Sequence, residues 1–97
     1  MLKKEHLIAT FNEAIVEEAK YVYVECYADG SKASELIINP IENAKMKRDY
    51  YDRAYDDNLK LHNAPVRILR YGYFNEMSQM EYVRNNFESG GVDDETK

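Results

Sequence analysis

The sequence has no tryptophan and one cysteine, Cys26. A single thiol excludes an internal disulfide and a cysteine-built zinc site. Its setting, Val24-Glu25-Cys26-Tyr27, is strand-like and reads as a small buried hydrophobe rather than a reactive thiol. No apolar run approaches the roughly 20 residues that span a bilayer. Charge and polarity arrive at once, with Lys3, Lys4, Glu5 and His6, so no signal-peptide core follows and the cytoplasm is the expected compartment. The two histidines, His6 and His62, do not form a metal-binding pair. The glycines at 30, 72, 90 and 91 do not form a phosphate loop, and no cofactor is expected. Positive charge is scarce too: 13 Lys and Arg stand against 18 Asp and Glu, a net charge of −5. That balance opposes general binding to a phosphate backbone. It suits solubility alone or a basic partner surface.

What remains is enough for one core. The 97 residues fit a single domain. Ile8, Phe11, Ile15 and Ala19, with Leu7 beside them, predict an amphipathic helix over Leu2 to Lys20. A capping-box match at Thr10-Phe11-Asn12-Glu13 offers a later start, but Leu7 and Ile8 continue the stripe and favour the longer helix. Tyr21 to Tyr27 is rich in β-branched and aromatic residues and predicts a strand. Asp29-Gly30 predicts a tight turn, and Ser34 to Ile38 the returning strand of a hairpin. Asn39-Pro40-Ile41-Glu42 predicts a helix start, with the helix running to about Leu61 and Pro65 preventing continuation. Ala44, Tyr51, Ala54, Tyr55 and Leu59 form its apolar stripe. Arg48 with Asp52, Asp49 with Arg53, and Asp56 with Lys60 stand at ion-pairing spacing. His62 is expected at the helix C-terminal dipole. Val66 to Phe74 predicts a third strand, in which Gly72 suggests a bulge or a close backbone approach. Asn75 can cap a short last helix, Glu76 to Phe87.

The expected fold is α+β, in the order αββαβα. A hairpin and a helical crossover make a split βαβ arrangement, with an antiparallel sheet of strand order 2-1-3 packed against helices. Residues 1–88 are expected to form this one domain, and 89–97 a disordered polar tail.

Tyrosine is the feature in excess, with nine residues. By strand alternation, Val22, Val24 and Cys26 share one face and Tyr21, Tyr23 and Tyr27 the other. If the third strand buries Val66 and Ile68, then Arg67, Leu69, Tyr71 and Tyr73 join the tyrosine face. Two readings of that face stay open. In one, the first or last helix covers it and the hydroxyls reach solvent at the rim. In the other, part of it docks another chain, since Tyr and Arg are enriched at binding hot spots; a second copy is the simplest occupant. Stacking of single-stranded nucleic acid on such a face is opposed by the acidity of the chain and by the missing Gly-aromatic RNA-binding signature.

The acidic residues Asp49, Asp52, Asp56 and Asp57 form a second candidate surface. Each has a basic neighbour one turn away, as on a solvated, ion-paired helix face, so no metal site is expected there. With its mix of Tyr, Lys, Asn, Glu and Asp, the chain resembles small phage or prophage proteins of low-GC Gram-positive bacteria. The resemblance implies an accessory protein that binds and modulates a host or competing factor. The sequence thus leads to an expectation of a non-enzymatic interaction protein, an inhibitor or modulator, acting through the Tyr/Arg face or the acidic helix and inclined to self-association. A variant is mimicry of nucleic acid by the acidic helix, weakened by Lys47, Arg48 and Arg53. The alternative is a small-ligand domain in which Tyr and Arg clamp a nucleotide-like anion.

Overall fold

The computed structural model describes residues 3–76 and Ser78. Within them the apolar stripe of the first segment folds as α1 (Lys4–Val16), burying Leu7, Phe11 and Ala14. The helix starts before the alternative capping box, and Thr10 Oγ1 donates back to the His6 carbonyl. Its end comes earlier than Lys20. Glu18 takes a left-handed φ of 58°, the Ala19 N–H reaches the Ala14 carbonyl, and the Glu18 N–H reaches Ile15. This is the double-bonded reversal that closes helices, here without its usual glycine. Ala19, just beyond, is buried.

The hairpin is β1 (Tyr21–Ala28) and β2 (Glu35–Pro40), followed across the sheet by β3 (Val66–Phe74). The strand order is β2-β1-β3, and both pairings are antiparallel. The fold is therefore the expected α+β arrangement of split βαβ topology. One 3-10 turn, Ile41–Asn43, leads into α2 (Ala44–Ala54). Pro40 ends β2 rather than opening the helix, and no side chain caps the turn.

The second helix stops at Ala54, seven residues before the predicted end at Leu61. Asp56 explains this. Its Oδ1 accepts the backbone N–H groups of Asn58 and Lys60, a local turn that competes with helix continuation. Leu59 then adopts a φ of 65° and is fully buried. Tyr55 and Leu59 still reach the core, but from an irregular loop. The loop returns as a short bridge in which Leu61 N–H meets the Val66 carbonyl and Ile68 N–H meets Leu59.

The core joins Leu7, Phe11 and Ala14 of α1 to Val22, Val24 and Cys26 of β1 and Ile68 of β3, with Ala44, Tyr51, Tyr55 and Leu59 closing it. Among the described residues no helix is long and apolar enough to cross a membrane. The expected last helix and the polar tail lie outside the described residues, apart from Glu76 and Ser78.

Candidate functional site

A β-bulge decides which tyrosines share a face. Glu25 pairs with Arg70, but the next residue, Cys26, pairs with Ile68, so Leu69 has no partner across the ladder. One extra residue inverts the alternation of everything beyond it. On the near side of the bulge Ile68 lies with Cys26, in the core. On the far side Tyr71 pairs with Val24 and Tyr73 with Val22, which places both tyrosines on the helix-facing side.

This corrects the expectation that Tyr71 and Tyr73 join the tyrosine face; Leu69, half-buried, is the residue at the bulge itself. Tyr71 shares a 2.6 Å hydrogen bond with His6 Nδ1, and Tyr73 donates at 2.6 Å to Glu13 Oε2. Both fasten α1 to β3. Burial pushes the Tyr71 hydroxyl above its ordinary range. The bond to Glu13 does the same for Tyr73, because the carboxylate favours the protonated phenol.

Tyr21, Tyr23 and Tyr27 do lie together, half-buried, on the face turned away from α1 and α2. Their cross-strand partners are Phe74, Gly72 and Arg67. Tyr21 stacks on Phe74 with centroids 5.1 Å apart. Tyr23 lies across Gly72: a Cβ at that position would come within 2.8 Å of its ring. Gly72 is thus the close approach that its place in a strand suggested. Arg67 sits over the Tyr27 ring at 5.5 Å, a cation–π contact at the open end of the face. Leu36 and Ile38 of β2, opposite Glu25 and Tyr23, continue the apolar surface.

On the same face, between Tyr23 and Tyr27 along β1, is a polar pair. Glu25 is 5% exposed. Its carboxylate accepts from Arg70 Nε at 2.6 Å and from Ser34 Oγ at 2.8 Å. Alternation alone assigns Glu25 to this face. Its burial was not legible, because the partner 45 residues away becomes opposite only through the bulge.

The acidic cluster is divided. Asp49 and Asp52 stand on α2, whereas Asp56 and Asp57 belong to the loop after it. The predicted helical pairs give way to others. Arg48 meets Asp49 and Asn12, and Lys4 meets Asp52 at 3.5 Å. Asp56 serves the turn; its bonds to the Lys60 and Asn58 N–H groups hold its carboxyl below the usual range. Among the described residues no group of three or more metal-ligating side chains converges. His62 is exposed in the loop, and its N–H reaches the Ala54 carbonyl.

Cys26 is buried beside Tyr55 and Tyr51. Burial pushes the thiol up, which disfavours the nucleophilic thiolate. Burial likewise raises Tyr51 and Tyr55 well above their ordinary range. A notch of about 130 Å³ lies between Asp29, Lys60, Pro65 and Arg67. It is smaller than the roughly 300 Å³ at which small-molecule sites begin. No protein family, no curated protein and no solved structure matches the chain.

Proposed function

We propose that this chain is a non-enzymatic interaction protein that binds another protein and modulates it, in the manner of a small phage inhibitor. The docking surface is the sheet face of Tyr21, Tyr23, Tyr27 and Arg67. The observation that carries the reading is their arrangement: three half-buried rings from one strand, with a guanidinium over the outermost. Rigid aromatic rings present large contact area while losing little side-chain freedom on binding, and Arg adds directional donors. The ion pair of Glu25 and Arg70, between Tyr23 and Tyr27 on the same face, ties β1 to β3 before a partner arrives. The net charge of −5 favours a partner with a basic surround.

Nucleotide clamping is the less supported reading, because the notch beside Arg67 is too small to enclose a nucleotide. The acidic-mimic variant loses its continuous helix face, since Asp56 and Asp57 are off α2.

Cross-linked affinity capture from the native host tests the proposal. The intact chain should recover a distinct protein, and an Arg67→Glu variant with an unchanged thermal melt should lose it. Recovery of the chain alone, or equal recovery by the variant, contradicts the proposal.

A further inference from the structure

The two outer strands are treated differently. The start of β3 is covered on its outer side by the Leu59–Leu61 bridge. Among the described residues nothing pairs with the outer side of β2. Which groups β2 presents there follows from one hydrogen bond. Ile41 N–H donates to the Lys20 carbonyl at 2.9 Å, and the same register pairs Asn39 with Val22 and Ile37 with Val24. In an antiparallel ladder, alternate residues turn their backbone groups to the same neighbour. Glu35, Ile37 and Asn39 therefore bond to β1. Leu36, Ile38 and Pro40 turn their backbone groups outward. Pro40 has no N–H to lose, so its place on the outward set forfeits no ladder bond.

The outward set is apolar and half-buried at Leu36 and Ile38. No lysine or arginine lies within the strand, the commonest device by which natural edges repel pairing. The strand is also complementary to its own reverse. Turned antiparallel about Ile37, Leu36 stands opposite Ile38 and Glu35 opposite Asn39, with no like charges facing. Beyond its ends lie Lys32 and Glu42, both exposed, so reversal sets the lysine of each copy toward the glutamate of the other.

We infer that the outer edge of β2 pairs antiparallel with the β2 edge of a second copy, joining two three-stranded sheets into one through the backbone groups of Leu36 and Ile38. Each such pair exchanges both of its hydrogen bonds, about four in all. The backbone edge is distinct from the tyrosine face, which the Leu36 and Ile38 side chains adjoin, and the inference stands whether or not that face binds a partner.

Sedimentation equilibrium of the full chain, with amide hydrogen exchange across the same concentrations, tests it. The chain should dimerise as concentration rises. Exchange at the Leu36 and Ile38 amides should slow at least about tenfold in the dimer, while Ile37, already bonded to β1, changes little. Ile38→Pro removes an outward donor and no β1 bond; Leu36→Lys adds an edge charge. Both should weaken dimerisation more than tenfold, with folding checked by circular dichroism. Should Ile38→Pro fail to fold, Leu36→Lys carries the test. A chain that stays monomeric near millimolar concentration overturns the inference. So does a dimer that survives both variants, or one lost only on Arg67→Glu, which would place it on the tyrosine face. Partner capture abolished by Arg67→Glu with dimerisation intact separates this inference from the proposed function.

Discussion

At position 72 the smallest side chain lies opposite one of the largest. The Tyr23 ring occupies the space a Cβ would need, and the atoms it would strike are the far end of that ring. A Gly72→Ala substitution should therefore displace the ring more than the backbone. The expected stability change is within about 1 kcal/mol, since strand propensity improves as the contact worsens. Partner affinity should fall by more than tenfold, because the central ring of the face is unseated. Thermal melts and a binding titration check the two parts separately. Glu25 makes the opposite kind of prediction. Its removal strands Ser34 and the Arg70 Nε donor. The arginine side chain is 39% exposed, so solvent compensates in part, and Glu25→Ala should destabilise by about 2 kcal/mol in urea unfolding.

Elements are set by their ends. The first helix stops in a left-handed residue that is glutamate rather than glycine. A side chain there costs about 1 kcal/mol relative to glycine. Glu18→Gly should consequently raise the unfolding free energy by roughly 0.5–1 kcal/mol, measurable as an upward shift in melting temperature. The same substitution in a helix interior would destabilise, so the sign of the shift tests the position of the end. Strand identity, pairing and sheet order were legible in the sequence, because alternation at Val22, Val24 and Cys26 and the Asp29-Gly30 turn each carry a local physical signal. The second helix was legible at its start only through the 3-10 turn at Ile41; α2 itself begins at Ala44, four residues beyond Pro40, which belongs to β2. Its stop was not, because Tyr55 and Leu59 keep helical spacing while contributing to the core from a loop. The run Asp56-Asp57-Asn58, whose short polar side chains compete for backbone N–H groups, was the available signal. The site was half legible for a related reason. Tyr21, Tyr23 and Tyr27 obey alternation within one strand, whereas assigning Tyr71 and Tyr73 required knowing of a bulge, and an unpaired Leu69 has no signature of its own.

The thiol of Cys26 and the phenols of Tyr51, Tyr55, Tyr71 and Tyr73 lie on the helix-packed side of the sheet. Cys26, Tyr51, Tyr55 and Tyr71 are raised chiefly by burial, and Tyr73 chiefly by its bond to Glu13. A group whose folded value lies above its unfolded one stabilises the fold below the unfolded value and loses that contribution as pH rises. Unfolded tyrosine ionises near pH 10 and cysteine near pH 8.5. Melting temperature should thus fall steeply on the alkaline side, between about pH 9 and 12. Absorbance at 295 nm should show a phenol component that ionises at higher pH in the folded chain than in denaturant, and replacing Tyr51 and Tyr55 by Phe should shrink it. A flat alkaline limb would mean these groups are not held as described.

The division of the sheet into a helix-packed face and a tyrosine face is the premise of the functional account, and contact with a protein from that second face is its central claim. Photo-crosslinking in the native host addresses it directly, with a benzophenone amino acid replacing Tyr27 in one variant and the exposed Lys45 of α2 in another. A discrete adduct to a different protein from position 27, absent from position 45, is the predicted result. No such adduct from position 27, or identical adducts from both positions, would contradict the account.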